Sequence, residues 1–288
     1  MNLYQILAAA DESEAGHQAV RSAIDLAARA RADVTVMRAV PVGALAVAAG
    51  AADASDFAGV GIEHPSIQDL HQWIRAELRA QREPPHVVAG IAAGVPAIEI
   101  CRLAERREAD LLVLGRKQRS QFTRLLLGDT ADAIARRSRI PCLFVPPNSG
   151  PLRQVLVALD GSEHGMLVLR EAFDFALSVG ASLRMMTVEA GPADKPAELA
   201  SSLPSRSARL ESELQALLTR KPLPGAVPDV EVRHGAIVDQ ILATVHATGA
   251  DVLVIGYHRG GLPGIIEAGS TARHLVHTAP CAVLTIPL

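Results

Sequence analysis

Two aspartates, and the glycines that follow each of them at long range, are the residues whose types and spacing suit a ligand. Asp11 closes the apolar run 5–10 and Ser13 stands two residues on; Asp160 closes the apolar run 154–159 and Ser162 stands two residues on. A carboxylate at a strand's end accepts a hydroxyl or amine of a small molecule, or caps a nearby helix or loop. Gly115 and Gly256 end two later apolar runs. Behind Gly256 come Arg259, Gly260 and then Gly269, Ser270 and Thr271; behind Gly115 come Gln118, Gly128 and Asp129. Glycine lets backbone N–H groups approach phosphate oxygens, and a helix starting just after it favours negative charge. The chemistry on offer is capture of a phosphorylated ligand. Ser270 adds a hydroxyl donor, and Arg259 either obstructs the backbone approach or contacts phosphate itself. Asp129 would set negative charge against negative charge, so the first half is expected to have lost triphosphate binding. Its loop carries Arg116, Lys117, Arg119 and Arg124, which read as solvated surface charges or as an alternative attraction for an anion.

The elements that must position these residues are written twice. Each Asp ends a strand, each Ser is a good helix N-cap, and a helical pattern follows. Val20, Ile24 and Ala27 share one face; Leu169, Phe173 and Ala176 share the matching one. Second strands are expected at 33–37 and 182–186, third strands at 86–89 and 230–233. Between them come helices near 67–81 and 205–220. In the latter, Leu210, Leu214, Leu217 and Leu218 form an apolar side that either meets a partner or covers its own sheet. Ile237, Ile241 and Val245 repeat every four residues in a further helix. Fourth strands at 109–115 and 250–256 read as buried on both faces by their composition, as parallel strands covered by helices should be, and last strands lie at 141–145 and 280–286. The Pro- and Gly-bearing run 146–151 reads as a linker, which divides the chain into 1–147 and 152–288. Alternating strands and helices predict an α/β fold with a doubly wound parallel sheet in each half. Ligands on such sheets bind beyond the carboxyl ends of the strands, where strand order reverses.

With these residues in view, the chain resembles the universal stress protein family over both halves, most strongly at 156–162 and 250–284. The resemblance implies five-stranded sheets of order 3-2-1-4-5, related by a pseudo-twofold axis and joined through their last strands. It also implies a motif G-x2-G-x9-G-[S/T] by which some members bind ATP and others, lacking it, do not. Gly256, Gly269 and Ser270 fit that motif; Arg259 holds the second glycine's place, with Gly260 one position late. In the first half Gly115 and Gly128 fit, whereas Gln118 and Asp129 depart from it. Asp160 matches the family aspartate that meets the nucleoside, and Asp11 retains it. The resemblance thus implies ATP or AMP in the second half, with Mg²⁺ as its companion, and Asp11, Gly115 and Gly128 as a degenerate equivalent.

Composition narrows the field further. Of 288 residues 49% are hydrophobic and 20% charged, enough for a packed core. With 3% aromatics and a net charge of −3, nucleic acid is a poor partner. Cys101, Cys142 and Cys281 make no CxxC pair, so neither a zinc site nor a disulfide framework is expected. The N-terminus has no basic leader before Asp11. The longest uncharged apolar stretch, 39–52, is broken by Pro41, Gly43 and Gly50 and falls short of the ~20 residues a bilayer span needs. A cytoplasmic protein without a membrane segment is the expectation. His17 and His164 read as equivalent positions at helix starts, and His258, His274 and His277 gather near the second loop without a standard metal spacing. No Walker A, GxGxxG or GxSxG motif occurs where it would need to. Three functions remain open: a stress-response binding or regulatory module acting through adenine nucleotide or partner proteins, including a homodimer; a slow ATPase or nucleotidyl-transfer enzyme using Asp160; and a scaffold with two inactive pockets.

Overall fold

Short runs of alternating apolar residues can satisfy their backbone only in a ladder and their side chains only between two layers. In β1 (Gln5–Ala9) Ile6 and Ala8 enter one apolar layer and Leu7 the other, all fully buried. The same alternation runs through β4 (Leu111–Gly115), β6 (Gln154–Leu159), β9 (Val252–Tyr257) and β10 (Ala282–Pro287). The computed structural model describes residues 1–40, 65–116, 129–160, 162–189, 206–223, 225–227, 229–258 and 270–288.

The remaining strands are β2 (Asp33–Val40), β3 (Val87–Ala93), β5 (Cys142–Val145), β7 (Ser182–Glu189) and β8 (Val230–His234). They join into one ten-stranded sheet of order β3-β2-β1-β4-β5-β10-β9-β6-β7-β8. Within each half this is the expected 3-2-1-4-5, all parallel. The two sheets meet where β5 and β10 pair antiparallel, Leu143 opposite Leu284. That seam removes an open edge from each sheet.

Helices cover both faces. On one lie α1 (Glu14–Ala30), α2 (Pro65–Arg79), α5 (Glu163–Val179) and α6 (Arg206–Arg220); on the other lie α3 (Pro96–Arg106), α4 (Asp129–Arg137), α7 (Ile237–Thr248) and α8 (Ser270–Thr278). Each apolar layer runs continuously across both halves. The expected faces of α1 and α5 are buried as read: Val20, Ile24, Ala27, Leu169, Phe173 and Ala176. In α6 Leu210 and Leu214 are buried, with Leu217 and Leu218 packed beside them, so that side covers the chain's own sheet.

Several details differ from the sequence reading: β2 and β7 run on past 37 and 186 to Val40 and Glu189. Strand β3 extends to Ala93, because it follows β2 in register as far as Val40. In α7, Ile241 and Val245 are buried but Ile237 is 41% exposed, because it is the helix's first residue and projects past the sheet. At the amino ends of the strands a second pair of repeated aspartates is structural: Asp110 accepts from the Tyr4 and Gln5 amides, and Asp251 from those of Arg153 and Gln154.

Candidate functional site

In the second half β6 and β9 are parallel neighbours, with Val157 opposite Val254. Helix α5 leaves β6 toward one face while α8 lies on the other, so strand order reverses between them and a crevice opens at their carboxyl ends. Asp160 stands at this crevice, one residue past β6. Its Oδ1 accepts from the Ser162 amide at 3.0 Å and the Ser162 hydroxyl at 2.7 Å. Ser162 in turn caps α5, accepting from the Gly165 amide at 3.1 Å. Burial pushes the Asp160 carboxyl up, but the two Ser162 hydrogen bonds and the charge of His258 outweigh it and hold the group below its ordinary range. Among the described residues no hydrogen bond reaches Oδ2. One oxygen is anchored and the other is left to a further donor.

Gly165 belongs to this arrangement, although the sequence reading passed over it. A Cβ there would lie 2.7 Å from Asp160 Oδ1, so only glycine lets the carboxylate fold against the helix start. The signal was legible as a repeated spacing: Asp11-x-Ser13-x-x-Gly16 and Asp160-x-Ser162-x-x-Gly165. Gly256 lies at the end of β9, and exposed Ser270 opens α8 with half-buried Thr271 behind it. Because α8 leads into β10, which is parallel to β9, its amino end lies at the same edge of the sheet as Asp160. Arg259, Gly260 and Gly269 lie outside the described residues.

The first half repeats the acid. Asp11 Oδ1 accepts from the Ser13 amide at 3.0 Å and from the Ser13 hydroxyl, and Ser13 caps α1 through the Gly16 amide. The glycine after β4 differs. A Cβ on Gly115 would collide with the Ala15 carbonyl and Gly16 amide of α1, whereas one on Gly256 would meet only the side chains of Leu288 and Val168. Backbone cannot give way as a leucine side chain can. Gly115→Ala is therefore expected to cost about 2 kcal/mol, and Gly256→Ala under about 1 kcal/mol. Chemical unfolding of the two variants checks the difference. Beside Asp11, Arg38 is buried in β2 and reaches Glu12 at 3.5 Å, a cation the sequence reading overlooked within an apolar strand. Gly128 and the loop cations Lys117, Arg119 and Arg124 lie outside the described residues.

Arg116 does not belong to a solvated or anion-attracting loop. It is 3% exposed and crosses to the other half, donating to the carbonyls of His277 at 3.0 Å, Ala279 at 2.6 Å and Cys281 at 3.1 Å. Burial pulls its guanidinium down to about 10. The reading of His17 and His164 as equivalents also needs correction. Counted from Asp11 and Asp160, His17 matches Met166, and His164 matches Ala15. The rings of His17 and Trp73 lie 4.6 Å apart, while His164 meets His258 edge-on at 5.5 Å. His274 and His277 belong to α8, and burial and the charge of Arg273 lower His277. Among the described residues no group of His, Cys, Asp or Glu is placed to hold a metal ion. Cys142 is pushed up to about 12 and Cys281 to about 11, both by burial, which leaves them protonated and unreactive at neutral pH. No described helix is long and apolar enough to cross a membrane.

Fold and site together define a tandem of doubly wound α/β units, each with an acid and a glycine at its switch point. The model of the universal stress protein family matches residues 4–146 and again 151–287, and the chain belongs to that family. It is 31% identical over 195 residues to universal stress protein Rv1996 of Mycobacterium tuberculosis, a match that takes in 63% of this chain and 60% of that protein. With universal stress protein Rv2005c of the same organism it shares 29% over 185 residues, 62% of this chain and 61% of the other. The match thus spans under two thirds of the length of these relatives. A universal stress protein from Archaeoglobus fulgidus has the same fold across 98% of both chains, with a TM-score of 0.70 and 18% identity.

Proposed function

We propose that this chain is a cytoplasmic stress-response binding protein that holds an adenine nucleotide, ATP or AMP, in its second half, residues 152–288, while the crevice of residues 1–147 is a degenerate copy. The observation that carries this reading is the exposed Asp160 carboxylate one residue past β6, with one oxygen held by Ser162 against the start of α5 at Gly165 and the other taking no hydrogen bond from the described residues. That geometry suits a hydroxyl or amine of a nucleoside. Gly256, Arg259, Gly260, Gly269, Ser270 and Thr271 would then receive the phosphates, with Ser270 donating its hydroxyl at the positive end of α8. Mg²⁺ would accompany ATP on the phosphates themselves. In the first half, Asp11 and Gly115 keep the frame and Gly128 keeps its place in the sequence motif, but Asp129 replaces the hydroxyl donor and the start of α1 is pressed against Gly115.

Isothermal titration of the full chain with ATP and AMP tests the reading. One site per chain is expected. Asp160→Ala should weaken it about tenfold or more, the value of a hydrogen bond to a charged acceptor, and Asp11→Ala should leave it unchanged. Silence at millimolar nucleotide, or equal effects of the two substitutions, would remove the proposal.

A further inference from the structure

We infer that His164 and His258 form a protonatable pair at the mouth of the second-half crevice, through which a nucleotide's anionic part is held more tightly as pH falls. This rests on the nucleotide reading above. Three observations bring the pair together. His258 directly follows Tyr257, the last residue of β9, so it stands where the crevice opens. His164 lies in the first turn of α5, and the two exposed rings meet at 5.5 Å with planes 85° apart. The Asp160 carboxylate, at the tip of the neighbouring strand, lies within reach of the His258 charge.

The pair is not an inheritance of the duplication. The residue before Gly16 is Ala15, where His164 precedes Gly165; the residue two beyond Gly115 is Lys117, where His258 stands two beyond Gly256. Only the half that retains the better phosphate motif carries imidazoles at both positions. Between α5 and α6 lies a separate hollow of about 590 Å³, lined by Glu163, Met166, Arg170 and Arg209 among others and by neither histidine.

The charged groups around the pair set the direction of its response. Asp160, one residue past β6, and Glu163 of α5 are the acids near the pair, and the amino end of α5 carries the opposite sign. From α6, Glu213 is engaged with Arg170 of α5 at 2.7 Å, which balances both charges, and Arg209 adds a cation at the hollow's far wall. Just past β10, Leu288 donates its amide to the Tyr257 carbonyl and lays its side chain over Gly256. Histidine is the side chain whose charge changes near neutral pH. An arriving anion is attracted by charge on the imidazoles as it is by the amides at the start of α5. By linkage, protonation that strengthens binding is itself strengthened by the ligand.

Titration calorimetry of the full chain at pH 6.0, 7.0 and 8.0 tests the inference, using AMP as the charged probe and adenosine as the neutral one. The variants are His164→Gln, His258→Gln and the double substitution, all at exposed positions. AMP's own phosphate also titrates in this range, but it does so equally for every protein, so the wild-type to double-variant affinity ratio isolates the imidazoles. That ratio should fall about tenfold from pH 6.0 to 8.0, with each single variant in between and adenosine binding flat for all. AMP binding with a ratio independent of pH would overturn the role of the histidines while leaving the nucleotide site standing. Absence of binding by AMP, adenosine and ATP at every pH would overturn the nucleotide reading, and this inference with it.

Discussion

Replacing Arg116 with Met should lower the thermal unfolding midpoint by about 6–12 °C, taking about 3 kcal/mol for the loss and about 2–4 °C per kcal/mol for a chain of this size. The side chain starts one residue past β4 of one half and ends among three carbonyls at the carboxyl end of α8 and just before β10 in the other. Helix-end carbonyls have no partner within their helix, and this end carries the negative pole of the helix dipole. Two effects compete. Burying a guanidinium is costly, as its shift down to about 10 shows, and Met would remove that cost while keeping the apolar stem. Against this, Met leaves the carbonyls of His277, Ala279 and Cys281 buried without their donor. Removing one partner of a buried charged contact costs more than the contact's net worth, because the other side is left unsatisfied. The second effect should win. Arg116→Lys keeps the charge but cannot fork to three acceptors, and should fall between the two. Differential scanning calorimetry of the three proteins checks the order; an unchanged midpoint for Met would mean that the carbonyls find other donors and that Arg116 does not tie the halves.

The repeat made much of this molecule legible before any coordinates. An apolar run, an acid, a serine two residues later and then a 3.6-residue apolar rhythm can hardly be anything but strand, cap and helix, and this happened at both Asp11 and Asp160. Strands β4 and β9 were plain because both faces had to be apolar. What escaped were features set by proximity in space and not by local pattern. Arg116 sits one residue past a strand among other cations, where a solvated loop is the natural reading; only the seam between β5 and β10 brings it to the end of α8. Arg38 was hidden because a strand's periodicity shows which way a residue faces but not what it meets there. The two glycines of the first helical turns were missed for a different reason. Their role depends on a carboxylate folding back five residues, a distance visible in sequence, but only if the repeat is aligned on the aspartates and not on the nearby histidines.

The same alignment yields the last expectation. With Gly128-Asp129 set against Gly269-Ser270, Asp132 of α4 and Arg273 of α8 occupy one pseudo-symmetric position, yet they carry opposite charges. Asp132 is 6% exposed; its Oδ2 is held by Arg136 at 2.6 Å and its Oδ1 is approached by Arg273 at 3.3 Å across the boundary between the halves. No donor among the described residues is aligned on Oδ1 as a hydrogen bond, so the contact with Arg273 is mainly coulombic. Two copies of either half would place like charges face to face here, whereas one of each places opposite charges. Arg273→Asp should therefore destabilise the chain by about 2–4 kcal/mol, more than Arg273→Met, because reversal adds repulsion between two carboxylates to the loss of attraction. Adding Asp132→Arg should recover about half of that and not all, since Arg136, which now steadies Asp132, would then face a like charge. Chemical unfolding of the three variants gives the coupling directly. A reversal no worse than Met, or a double variant weaker than the single, would show that this position does not help fit the first half to the second.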